Sequence, residues 1–217
     1  NKKKKINLQL IKDSNNVYKT GLYVKDQITG IGTLTYIDPE TKIFGALGHE
    51  IIEANSNLKI EVKDGKIFKA KITGITKSTD RTTGEKNASF DESITYGTIT
   101  ENTTSGIYGK YNYEFDKSNL KKVGNPSDIK LGKASILTVL DDNNIEEYSI
   151  NILKINEDSL TKNILFEITD PTLKDKTNGV IKGMSGSPII QNDKIIGAVT
   201  HAIVNDNAKG YGIFITT

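Results

Sequence analysis

Apolar and polar residues along this chain fall into short alternating runs rather than at helical spacing. Residues 32–37 (G-T-L-T-Y-I) alternate cleanly, and similar runs rich in Val, Ile, Leu and Tyr occupy 17–24, 42–47, 58–62, 66–72, 93–100 and 106–115. The pattern continues over 133–140, 146–155, 163–168, 189–190, 195–202 and 211–215. Asp64-Gly65 between two of these runs predicts a hairpin turn. Turn residues recur at roughly the 8–12-residue spacing of β-sandwiches and barrels. Helical patterns are few: one turn over 50–54 and another over 116–120. The polar stretch 78–91 reads as a loop. Gly124-Asn125-Pro126 marks the best junction between halves, 1–118 and 119–217. The expectation is an all-β chain of two packed barrels or sheets, about six strands each.

Composition narrows the possible functions. Of 217 residues, 35% are hydrophobic and 26% charged, an ordinary globular profile. The 29 basic and 27 acidic side chains nearly cancel, so no nucleic-acid footprint is present. Lys2 to Lys5 form the one basic run, read as a solvated end. The absence of cysteine rules out disulfides, zinc ribbons and a thiol nucleophile. No apolar run approaches the roughly 18 residues of a membrane span, and neither a transmembrane helix nor a signal peptide is expected. Beginning at Asn1 without a Met, the chain reads as a piece of a longer precursor, with any membrane anchor upstream.

Gly183-Met184-Ser185-Gly186-Ser187-Pro188 is the most specific local string. A serine nucleophile needs a tight turn that exposes its hydroxyl, a nearby base, and backbone N–H groups aimed at the forming oxyanion. Gly183 and Gly186 permit such a turn, Pro188 can start the next strand, and the N–H groups of Gly183 and Ser185 would form the hole. The plainer reading is a surface turn. The string resembles G-D-S-G-G-P of trypsin-like peptidases and G-N-S-G-G-P of their bacterial stress-protease relatives. That resemblance implies a trypsin-like double β-barrel with few short helices. It also implies that the strand Ala198, Val199, Thr200, His201 and Ala202 pairs with substrate and walls its pocket.

The chain has two histidines. His49 follows F-G-A-L-G at the end of a predicted strand, where trypsin-like enzymes carry their general base. His201 is read first as a pocket-wall or surface residue. For the carboxylate that would orient the imidazole, trypsin-like order favours Asp91, whereas Asp170 sits unusually close to Ser185 and is also suited to capping a turn before Pro171.

The strings G-I-G-T-L-T-Y (30–36), F-G-A-L-G-H (44–49), T-D (169–170), G-M-S-G-S-P-I-I (183–190), I-G-A-V-T-H (196–201) and K-G-Y-G-I-F-I (209–215) closely resemble the SpoIVB peptidase family, the stage IV sporulation serine peptidases. The resemblance implies a triad of His49, Asp170 and Ser185, an acyl-enzyme mechanism, and no metal or cofactor. Members of that family carry a membrane anchor and a PDZ domain ahead of the peptidase. They cleave themselves and a partner protein between forespore and mother cell, triggering a later signalling step. The implied partner is therefore a protein or peptide substrate, the chain itself included, with membrane attachment only through an upstream anchor.

Overall fold

The computed structural model describes residues 5, 7–20 and 28–217. They divide into two compact units, one ending at Gly30 and one spanning Ile31–Thr217. In the first unit, β1 (Ile11–Lys12) pairs antiparallel with β2 (Tyr18–Lys19). Asp13 builds the turn between them: its Oδ1 accepts from the N–H groups of Asn15 and Val17, and its Oδ2 meets Lys19 Nζ at 2.7 Å. The remainder of the strand expected over 17–24 falls largely outside the described residues.

The second unit opens with β3 (Leu34–Ile37), β4 (Ile43–Ala46), β5 (Gly65–Ile67), β6 (Ala70–Thr76), β7 (Glu85–Phe90), β8 (Gly97–Thr103) and β9 (Gly106–Tyr111). Five of these form an antiparallel sheet in the order β3-β4-β9-β8-β5, and β6 and β7 form a separate two-stranded ribbon. Asp38 closes the β3–β4 turn, its Oδ1 accepting from Glu40 N–H and from the Thr41 N–H and hydroxyl. Phe44, Ala46 and Ile107 are the buried centre of this half, packed by Leu34, Ile37, Leu47, Ile67 and Ile99.

After β10 (Lys122–Val123) and a 3-10 turn at Pro126–Asp128 come β11 (Gly132–Val139), β12 (Ile145–Ile155), β13 (Ile164–Ile168), the helix α1 (Pro171–Thr177), β14 (Pro188–Gln191), β15 (Lys194–Ala202) and β16 (Lys209–Phe214). The order β15-β14-β11-β12-β13-β16, closed by β16 pairing with β15, makes a six-stranded barrel. Closure leaves no sheet edge, so alternate residues must point inward. Tyr148, Ile150 and Ile152 of β12 do so, as do Ile164, Phe166 and Ile168 of β13 and Ile189 of β14. The chain is all-β, with a closed barrel and one short α-helix, as a trypsin-like fold requires. Among the described residues no helix is long and apolar enough to cross a membrane.

Four local expectations change, the first being the strand over 58–62, where only Lys59 makes an isolated bridge. Asp64-Gly65 does not turn a hairpin; Gly65 begins β5, which pairs with β8. A Cβ on Gly65 would meet Ile99 Cβ at 2.7 Å, so this glycine serves close strand packing. The stretch 78–91, expected as a loop, contains β7, which pairs along its length with β6. Residues 50–54 form no helical turn, because Ile52 bridges antiparallel to Lys59.

Candidate active site

The nucleophile turn lies between α1 and β14. Gly183 and Gly186 have φ of +91° and +92°, the region that other residues avoid. A Cβ on Gly186 would fall 2.0 Å from Thr33 O and 2.6 Å from Leu47 N. The turn is fastened on both sides. Thr33 donates its N–H to Ser185 O (2.9 Å) and its hydroxyl to Gly183 O (3.0 Å). Gly186 N–H donates to Val199 O (2.7 Å), and Val199 N–H to Ser187 O (2.9 Å). Met184 and Ser187 donate their N–H groups to Ile181 O and Met184 O. The N–H groups of Gly183 and Ser185 donate to no acceptor among the described residues. From Gly183 to Gln191 only Ser185 is not buried.

The Ser185 hydroxyl donates to Thr200 O at 3.0 Å. His49 leaves β4 through Leu47 and Gly48, both in left-handed conformation with φ of +70° and +69°. For Leu47 that geometry is strained. The loop lies against the barrel strand: a Cβ on Gly48 would meet Thr200 Cγ2 at 2.9 Å. His49 Nδ1 is 2.8 Å from Glu50 O. A carbonyl oxygen has no proton to give, so Nδ1 carries a proton, and the neutral imidazole has its lone pair on Nε2. The His49 and His201 rings lie 5.3 Å apart between centroids. His201 sits at an irregularity of β15, where register shifts between Val199 and His201 against β16. Although its side chain reaches solvent, partial desolvation, His49 and Lys162 together push its pKa down to about 4.

Not every expected residue joins this arrangement. The Asp170 carboxylate is the N-cap of α1: Oδ1 accepts from Leu173 N–H at 3.0 Å, and Oδ2 faces Ser149 N–H at 3.4 Å. It makes no hydrogen bond to His49, whose Nδ1 is taken by the Glu50 carbonyl. Asp91 instead accepts from Ser93 N–H, and this bonding with Ser93 holds its carboxyl below the ordinary range. Ala198 and Val199 do not face an open groove. Ala198 is paired with Pro188 and Ile213, and both backbone groups of Val199 are spent on the nucleophile turn. Beyond them β14 no longer runs alongside; His201 and Ala202 pair with β16, Thr200 is the unpaired residue at the irregularity between Val199 and His201, and among the described residues no strand pairs with the other side of these three.

Two contributors escape sequence reading. Thr33, which clamps the turn, stands in a stretch that shows only strand character. Lys86 is one of 29 basic residues yet is 6% exposed, its stem 3.1–3.2 Å from the position a Gly183 Cβ would occupy. Among the described residues no three His, Asp or Glu side chains gather as metal ligands would.

A comparison with individual curated proteins found no match. The model of one family does match. It is described as SpoIVB peptidase S55 and covers residues 16–217, taking in the β4 loop with His49, the clamped turn with Ser185 and the closed barrel between and around them. This chain belongs to the SpoIVB peptidase S55 family, a family of serine peptidases.

Proposed function

We propose that the chain is a serine endopeptidase that hydrolyses peptide bonds through an acyl-enzyme on Ser185. The observation that carries this reading is the turn itself: the carbonyls of Gly183, Met184, Ser185 and Ser187 each accept a hydrogen bond, the Gly183 and Ser185 N–H groups meet no acceptor among the described residues, and Ser185 alone of the turn is not buried. Ser185 attacks the scissile carbonyl, His49 Nε2 takes its proton and returns it to the leaving amine, and the two N–H groups receive the oxyanion. The Glu50 carbonyl holds the imidazole in the tautomer this requires. Asp170 rests on family resemblance for a catalytic role; its hydrogen bonds support the start of α1 instead.

Substrate adds as a strand along the free side of Thr200, His201 and Ala202. Thr200 O is the carbonyl an incoming backbone N–H would meet, and the resting Ser185 hydroxyl occupies it. A substrate strand that takes Thr200 O frees the hydroxyl to adopt another staggered rotamer and give its proton to His49. The same hydrogen bond favours a second reading, a latent module in which Ser185 and His49 never pair. Family membership supports the wider biology of self-cleavage, cleavage of a partner protein between forespore and mother cell, and a resulting signal.

Labelling by a fluorophosphonate probe tests the site. Labelling of the wild type that vanishes in Ser185→Ala and in His49→Ala is the expected result, with peptide turnover falling on the order of 10⁶-fold in Ser185→Ala. A folded wild type that never labels supports the latent module.

A further inference from the structure

Lys86 is the most anomalous buried group outside the pair just described. It projects from β7, whose backbone reaches the segment before the turn: Lys86 N–H donates to Lys182 O at 3.0 Å, and Lys182 N–H to Gly84 O at 2.9 Å. The side chain is 6% exposed and has no carboxylate within ion-pair distance among the described residues. Its ammonium donates to Thr138 Oγ1 at 2.7 Å. That oxygen, on β11, also accepts from the hydroxyl of Ser187 at 3.1 Å. Ser187 is wholly buried and stands two residues beyond the nucleophile. The Lys86 stem meanwhile packs under Gly183, the residue that supplies one open N–H. The one side chain thus reaches the turn at Gly183 directly and at Ser187 through Thr138.

An unpaired buried ammonium is unfavourable for folding, and a methionine would fill the same space without a charge. We infer that Lys86 is a positioning residue of the acyl-transfer site: its stem sets Gly183, and its ammonium sets Ser187 through Thr138. A cation held in a poorly solvated place beside that turn also favours the negative charge of the tetrahedral intermediate over the neutral ground state. Lys86 neither meets the substrate nor moves a proton in this scheme. The inference rests on Ser185 as nucleophile for its chemical part, and on the turn alone for its structural part.

Lys86→Met, Ser187→Ala and the double variant test it with three readouts. The first is the rate of fluorophosphonate labelling, the second the urea midpoint, and the third amide hydrogen exchange at Gly186 and Ser187, which needs no working site. Lys86→Met should label at least about tenfold more slowly, exchange these amides at least about tenfold faster, and unfold at the same or higher urea concentration. Ser187→Ala should slow labelling by a smaller factor, and the double variant should be no slower than Lys86→Met alone, since both act through one network. Labelling and exchange within twofold of wild type in Lys86→Met would overturn the inference, as would a loss of labelling that tracks a lower urea midpoint. If Lys86→Met does not fold, Ser187→Ala labelling at the wild-type rate overturns it. A wild type that fails to label rejects the proposed function, and the exchange rates then decide the role of Lys86 on their own.

Discussion

Asp170→Asn separates the two roles open to that carboxylate. As the N-cap of α1, Asp170 supplies an oxygen to Leu173 N–H, with Pro171 already preset at the first helical position. Asparagine caps as well as aspartate, so the bond to Leu173 survives. What is lost is the charge at the helix N-terminus, about 0.3–1 kcal/mol, and the long contact to Ser149 N–H. Asp170→Ala removes the cap outright, about 1–2 kcal/mol. At about 2–4 °C per kcal/mol for a chain of this size, Asp170→Asn should melt within about 4 °C of wild type and Asp170→Ala lower still. In both, folded protein should label with fluorophosphonate within about threefold of wild type, because Glu50 O and not Asp170 holds Nδ1 of His49. An imidazole that relied on Asp170 would behave otherwise: loss of its carboxylate costs about 10⁴ in turnover with geometry intact. Labelling rates and thermal melts on the three proteins decide the matter. A drop of 10³ or more in Asp170→Asn, at a melting temperature near wild type, refutes the capping assignment as the whole role of this residue.

Two further outcomes follow from packing and charge. Gly186→Ala places a methyl 2.0 Å from Thr33 O at φ +92°, so it should cost about 2–4 kcal/mol by strain and overpacking and abolish labelling, as checked by denaturant melts and the probe. Burial lowers the Lys86 pKa from 10.5 to about 8. Below pH 8 both folded and unfolded chains hold this proton and the penalty is fully present; between pH 8 and 10.5 the unfolded chain binds more protons, so stability rises with pH by about 3 kcal/mol in all. The urea stability of wild type relative to Lys86→Met should therefore rise from pH 7 to pH 10, and an unchanged relative stability contradicts it.

Much of this arrangement was legible before any coordinates, and for a physical reason. Strands β12, β13 and β15 line a closed barrel, so their inward positions carry Ile, Phe, Tyr and Val and the alternation is plain. The turn carrying Ser185 was legible because its backbone angles demand glycine at 183 and 186. Strand β7 was not, because its buried position holds a lysine where the period predicts an apolar residue. Gly65 misled because glycine serves turns and close packing alike, and only the distance to Ile99 tells which. Helix α1 is seven residues long, too short for a 3.6-residue period, so only Asp170-Pro171 marked its start, and that pair reads equally as a turn. The orientation of His49 rests on a main-chain carbonyl, which no residue type announces.

Two costs in this structure lie where the chemistry would occur. Leu47 holds φ +70° at the entrance to His49, a conformation worth about 1–2 kcal/mol against an L-residue. Lys86 keeps a charge in the interior beside the turn of Ser185. The barrel core, by contrast, is dominated by locally consistent choices, β-branched and aromatic residues on strands, and its buried Thr138, Gln191 and Thr200 side chains are all hydrogen-bonded. A scaffold selected for stability alone would hold an apolar residue of similar volume at 86, and would keep a leucine at 47, where it packs on Phe44, Ala46 and Ile107, only if the backbone there were relaxed. Their positions on opposite sides of one turn, one leading to the base and the other bracing the nucleophile, explain both exceptions by a single demand. That demand is a turn held from the sheet side by Thr33, from the barrel by Val199 and from the β6–β7 ribbon by Lys86, with two N–H groups that meet no acceptor among the described residues and a hydroxyl resting on Thr200 O.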